Sequence, residues 1–133
     1  MIFIDASAYL AIVMPFDNNR GKALRLSKTV FTKENNLITS NAILGEVLTI
    51  CSQRHNREAA IDFVSDILKG KTNIVLENKE LTDKSFDIFK TIKDKDVSWV
   101  DCYSFAIIEH YKIEKVFSFD KDFKKYAKAK LLE

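Results

Sequence analysis

Glycine is scarce in this chain, at three residues in 133, and proline occurs once. Long irregular loops and low-complexity linkers therefore have little material to form from. Only two histidines and two cysteines are present, and they are scattered. No CxxC pair and no Cys/His finger spacing occurs, so nothing points to a zinc module. Cys51 and Cys102 allow one disulfide at most, and nothing suggests a secreted disulfide scaffold. No apolar run approaches the ~20 residues of a membrane helix, and no basic stretch leads into an apolar signal segment. A soluble, cytoplasmic protein with no membrane partner is expected. Strong charge of one sign is also lacking: 21 basic residues face 19 acidic ones, a net charge of +2. That balance permits a nucleic-acid partner without arguing for one. Neither a GxGxxG nor a Walker phosphate loop is found.

What the chain does hold is apolar mass, 47% of residues, beside 30% charged residues. One ordinary domain spanning residues 1–133 is expected, with enough apolar material for a real core. Short apolar runs alternate with longer amphipathic ones. Strands are predicted at Ile2–Ile4, Leu37–Thr39, Asn73–Leu76 and Val116–Phe119. Helices are predicted over Ala6–Met14 (stopped by Pro15), from an Asp17 cap to about Lys33, from a Ser40 or Asn41 cap to about Arg54, and over Glu58–Lys69. Three more follow, at Lys79–Lys93, Val100–Tyr111 and Asp122–Ala129. Gly70 suits a helix C-terminal stop. Apolar strands alternating with helices argue for an α/β fold, a parallel sheet covered on both faces.

In such a sheet, ligands bind outside the carboxyl ends of the strands. Asp5 ends the first apolar run, in IFIDAS, and Asp120 ends the last, in VFSFDKDF, with Asp122 two residues on. Helix capping or a turn accounts for each of these acids taken singly. Glu46 lies in AILGEVLTIC, on a narrow strip with Ala42, Gly45, Thr49 and Gln53, opposite a broad apolar face. Gly45 lowers helix stability by ~1 kcal/mol relative to alanine, and so can admit a close-packed neighbour or a substrate beside Glu46. A plain solvent strip is the alternative. Asp101, in SWVDCYSFAII, matches a capping box with Ser98, yet shares its helical face with Ser104, Phe105 and Ile108. A carboxylate on an apolar-leaning face needs a partner.

The conjunction is more telling than any one acid. Four carboxylates in one cleft repel one another unless cations are present. Hard divalent ions that prefer oxygen ligands, Mg²⁺ or Mn²⁺, meet that need. His55 and His110 are isolated and read as surface or helix-end residues.

MIFIDASAYLAI, NAILGEVL, SWVDCYSFAI and VFSFDKDF, in this order and spacing, resemble the PIN-domain ribonucleases, and in particular the small VapC-type toxins of toxin–antitoxin pairs. The resemblance spans essentially the whole chain. It implies a PIN-like three-layer fold, a short parallel sheet of about four or five strands flanked by helices. It implies a catalytic and metal-binding set of Asp5, Glu46, Asp101 and Asp120, with Asp122 sharing or taking the fourth place. Supporting roles fall to Ser7 and Ser104. The implied activity is metal-dependent hydrolysis of RNA. The implied partners are the RNA substrate, a cognate antitoxin protein and a second copy of the chain in a homodimer. A non-catalytic PIN-like binding module and a housekeeping PIN nuclease without antitoxin are the rival readings.

Other acidic-site folds fit less well. A Toprim-like domain wants Glu where Asp5 stands. A haloacid-dehalogenase phosphatase wants a second acid two residues after the first, where Ser7 stands. A receiver domain wants paired acids after strand one and a lysine at a late strand end, and neither is convincing.

Candidate groups for the RNA backbone are Arg20, Lys22, Arg25, Arg54, Arg57, Lys121, Lys124 and Lys125, for most of which an ordinary solvated face is the default. Phe31, Phe63, Phe86 and Phe89 are assigned by default to the core, with a protein interface as the alternative.

Overall fold

β1 (Ile2–Ile4) is buried along its whole length, as a strand covered on both faces must be. It lies at the centre of one five-stranded sheet of order β3-β2-β1-β4-β5, every neighbouring pair parallel. The other strands are β2 (Leu37–Ser40), β3 (Asn73–Val75), β4 (Lys115–Phe117) and β5 (Lys130–Leu131). The structure is a computed structural model and describes residues 1–133.

Seven helices supply the crossovers: α1 (Ala6–Val13), α2 (Arg20–Val30), α3 (Asn41–Arg54), α4 (Arg57–Lys69), α5 (Lys79–Thr91), α6 (Trp99–His110) and α7 (Asp122–Tyr126). The predicted order of elements is present, with differences at the ends. The second helix begins at Arg20, not at Asp17. The Asp17 carboxylate instead accepts the Asn19 N–H at 2.8 Å and forms a turn ahead of the helix. The same helix stops at Val30, where the Asn35 side-chain amide donates to the Thr29 and Val30 carbonyls at 2.7 and 3.0 Å. The last helix ends at Tyr126, and β5 follows it. That strand was not predicted. Two residues carry no periodicity; it is held on the sheet edge by Lys130 N–H to Glu114 O (2.8 Å) and Leu132 N–H to Val116 O (3.0 Å).

The core is one cluster of 33 buried apolar residues. Rings close it beneath the carboxyl edge of β1 and β4. Phe123 of α7 is fully buried and lies 5.2 Å edge-on to Phe105 and 6.2 Å from Phe3, centroid to centroid. Phe31, Phe86 and Phe89, assigned to the core by default, are exposed instead, and Phe63 is half-buried. Phe89 packs on Trp99, itself partly exposed. Both cysteines are buried and free. No helix is long and apolar enough to cross a membrane.

Phe123 anchors the short helix that begins at Asp122. Phe123→Ala is expected to cost about 3–4 kcal/mol of folding stability, read as a lowered urea midpoint with an unchanged slope. A midpoint equal to wild type would show that α7 is not anchored through this ring.

Candidate active site

Asp5 follows the last residue of β1, and its backbone N–H extends the ladder by donating to Phe117 O at 3.0 Å. Its side chain is buried, and Oδ2 accepts the Ser7 N–H at 3.3 Å as the N-cap of α1. The Ser7 hydroxyl donates to the same oxygen at 2.7 Å, and the Ser118 hydroxyl at 2.8 Å. Burial pushes the Asp5 pKa above the usual carboxylate value, opposed by these hydrogen bonds. Next to it, Thr39 Oγ1 donates to Ile4 O at 2.8 Å and fixes the end of β1 against β2.

Glu46 stands on the second turn of α3, whose N-cap is Ser40, its hydroxyl accepting the Ile43 N–H at 3.2 Å. Burial raises its pKa to about 7, and the neighbouring charges of Asp5, Asp101 and Asp120 add to the rise. Glu46 is therefore electrostatically coupled to all three of the other acids of the predicted set. Beyond its chain neighbours and its own helix backbone, no atom lies within 4 Å of the place a Cβ would take on Gly45, so the glycine admits no close-packed neighbour and the space over it is open.

Asp101 does form the predicted capping box. Its carboxylate accepts the Ser98 N–H at 3.0 Å, and Ser98 Oγ accepts the Asp101 N–H at 3.1 Å. Yet it is half-buried, and burial raises its pKa in spite of the cap, with Asp5 and Asp120 contributing further. Asp120 lies beyond β4 in a tight turn in which its Oδ1 accepts the Asp122 N–H at 2.9 Å. Ligand oxygens of Asp101, Asp120 and Asp122 all fall within 4.8 Å of one another. Both candidates for the fourth acid thus face Asp101. The pKa of Asp122 is also raised, by loss of solvent and then by Asp120.

Ser104 is brought near none of these groups by a hydrogen bond: its hydroxyl donates back to Val100 O at 3.0 Å within α6. Ser118 was missed by sequence reasoning. It is buried, it bonds Asp5, and its oxygen accepts the Asp120 N–H at 3.0 Å. The available signal was a hydroxyl inside the apolar run VFSF, two residues before an acid. Among the basic candidates, Arg20 is engaged, donating to Ile12 O at the end of α1. Lys22, Arg25, Arg54, Arg57, Lys121, Lys124 and Lys125 are exposed. His55 and His110 lie exposed at helix ends, away from the acids.

None of the ion pairs in the fold involves any of the five acids. Half-buried like charges with no salt-bridge partner make a site for an added cation; Lys125 acts on Asp122 only from beyond ion-pair distance. Every donor is a carboxylate or hydroxyl oxygen, which fits a hard divalent ion such as Mg²⁺ or Mn²⁺ rather than zinc.

Fold and site together define a parallel α/β domain with an all-oxygen cluster of acids on the carboxyl edge of its sheet. More particularly, residues 2–129 match the family model described as PIN domain, and the chain belongs to that family. It is 28% identical over 123 residues, 92% of either chain, to the 23S rRNA-specific endonuclease VapC20 of Mycobacterium tuberculosis strain H37Rv. The solved structure of that Sarcin-Ricin loop cleaving toxin superposes with a TM-score of 0.86 at 26% identity, covering 94% of each chain. Two more distant structures share the fold. VapBC-1 from nontypeable Haemophilus influenzae gives a TM-score of 0.63 at 15% identity, covering 100% of this chain and 98% of that one. FitAcB from Neisseria gonorrhoeae gives 0.66 at 14%, covering 100% and 97%.

The raised acids tie folding stability to pH. A carboxyl group with a folded-state pKa above its unfolded value contributes stability that is full below the unfolded pKa and is lost as pH rises through the folded one. For Glu46 that window runs from 4.5 to about 7. In chelator at pH 8, Glu46→Gln is expected to unfold at a higher temperature than wild type, by roughly 4 °C if solvent screening leaves about 1 kcal/mol. The gain shrinks toward zero at pH 4. A gain that is the same at both pH values, measured by thermal unfolding, would remove Glu46 from the cluster.

Proposed function

We propose that this protein is a metal-dependent endoribonuclease, the toxin of a VapBC-type toxin–antitoxin pair, using Mg²⁺ or Mn²⁺. One observation carries the reading. Five carboxylates from distant parts of the chain converge at the carboxyl edge of the sheet, with no cationic side chain paired to them. Asp5, Glu46, Asp101 and Asp120 are the proposed ligands, and Asp122 shares the side of the cleft formed by Asp101 and Asp120.

Asp5, Glu46, Asp101 and Asp120 would hold a divalent ion, which when bound would supply an acidified water and charge compensation for phosphodiester hydrolysis. The chain's own residues do the rest. The caps and hydroxyls hold the carboxylates of Asp5, Asp101 and Asp120 in one orientation. Glu46 completes the ligand set from α3; burial and the other three carboxylates raise its pKa while no cation is bound. The open space over Gly45 leaves room for the RNA backbone beside it. Lys121, Lys124 and Lys125, exposed next to Asp120 and Asp122, are positioned to meet phosphates. The expected products carry 5′-phosphate and 3′-hydroxyl ends.

Likeness to VapC20 over nearly all of both chains supports 23S ribosomal RNA, at its sarcin-ricin loop, as the substrate. The toxin–antitoxin names of the structural relatives support an antitoxin as partner. The exposed Phe86, Phe89 and Trp99 support a protein-covered face on α5 and α6, open to an antitoxin or to a second copy in a homodimer. The intact acid cluster speaks against a non-catalytic module, which would keep costly like charges together for nothing.

Purified wild type is expected to cut 23S rRNA in Mn²⁺ or Mg²⁺ and to stop in chelator. Asp101→Asn keeps an oxygen for the Ser98 cap and so keeps the helix, yet is expected to lose activity by at least about 10²-fold; Asp5→Asn is expected to do the same. Cleavage that survives chelator, or full activity in either variant, would refute the site. If ribosomal RNA stays intact while another RNA in a cellular pool is cut, the chemistry stands and the target moves.

A further inference from the structure

With Asp5 ionised, as a cation ligand must be, the hydrogen bonds around it take one arrangement of protons. Backbone N–H groups can only donate. Phe119 N–H points at Ser7 Oγ at 2.9 Å, and Asp120 N–H at Ser118 Oγ at 3.0 Å. Each serine oxygen therefore accepts from the backbone and keeps one proton to give. Both protons have the same short-range acceptor, Asp5 Oδ2, at 2.7 Å from Ser7 Oγ and 2.8 Å from Ser118 Oγ. With both spent there, the 3.1 Å approach of the two hydroxyl oxygens carries no proton. The Ser7 N–H adds a third donor to Oδ2. As a carboxylate oxygen, Oδ2 thus accepts three hydrogen bonds. None of these bonds goes to Oδ1.

Ser118 is the node. It alone touches both strand-end acids, bonding the Asp5 carboxylate and the Asp120 backbone, and it is buried where solvent cannot replace it. Ser7 completes the same link in the other direction, from α1 to the Phe119 backbone. The two hydroxyls thus lock the carboxyl ends of β1 and β4 together and saturate one oxygen of Asp5.

We propose that Ser118 is a positioning residue which, with Ser7, clamps Asp5 through Oδ2 so that Oδ1 alone is offered to the cation, and sets Asp120 in register with it. This rests on the metal-site reading above. A buried serine that merely fills its space would affect folding but leave cation affinity as it is.

The test is Mn²⁺ titration calorimetry on the whole chain, with thermal unfolding in chelator as the check on folding. Ser118→Ala is expected to weaken Mn²⁺ binding about tenfold or more, the usual effect of removing a group that orients a ligand, while remaining folded in chelator. Ser118→Thr, which keeps the hydroxyl, is expected to bind within about threefold of wild type. On RNA, the alanine variant lowers kcat with little change in KM, because it touches no substrate. Should Ser118→Ala fail to fold, Ser7→Ala removes the other donor from a half-buried position and is expected to weaken Mn²⁺ binding in the same sense. Wild-type affinity in the folded alanine variant overturns the proposal while leaving the metal site intact, as does a threonine variant no better than alanine. A wild-type protein that binds no Mn²⁺ overturns the functional reading and this proposal together.

Discussion

Mutual repulsion among carboxylates is the constraint around which this fold is arranged. A parallel sheet of five strands puts the ends of β1 and β4 side by side, and the helices that follow β2 and precede β4 deliver two further acids to the same edge. Water is partly excluded there, so the charges are poorly screened. The Glu46 pKa rises to about 7, first through burial and then through the charges of Asp5, Asp101 and Asp120. Everything around the acids acts against it: hydroxyls on Asp5, backbone N–H groups on Asp101 and Asp120, and an open approach for a cation.

Capping and metal binding are not rival explanations of these residues. A carboxylate has two oxygens, and the cap uses one. Asp5 caps α1, Asp101 caps α6 through its box with Ser98, and Asp120 closes the turn into α7. Each cap fixes a side-chain orientation that a free carboxylate would lose entropy to adopt. The bonds that start α1 and α6, and the one that turns the chain into α7, therefore fix the orientation of three of the proposed ligands. Glu46 differs. It lies inside α3, away from the free N–H groups of a helix start; burial raises its pKa, and the charges of Asp5, Asp101 and Asp120 raise it further.

The aromatic residues taught a different lesson. Phe86 and Phe89 have the spacing of a buried helix face, yet α5 leaves them exposed. The periodicity of α5 is real, because Leu81 and Ser85 are buried on the face toward α6. What periodicity cannot state is how many neighbours an outer helix has. With one side covered, the stripe is wider than the contact, and the surplus remains on the surface beside Trp99.

Local information was legible in the sequence. The buried strand Ile2–Ile4, the Ser40 cap, the Ser98–Asp101 box and the four acids are each written within a few neighbouring residues, because capping bonds and apolar spacing act over one or two helical turns. The order of the acids along the chain, read against a known family pattern, gave their common edge. Tertiary structure alone decided what depends on segments that capping bonds and apolar spacing do not connect. It joined Ser118 to Asp5, it grouped Asp122 with Asp101 and Asp120, and it laid the two-residue β5 on the sheet edge. A lone serine in an apolar run looks the same whether it faces solvent, core or carboxylate; only the pairing of β1 with β4 gives its hydroxyl a charge to hold.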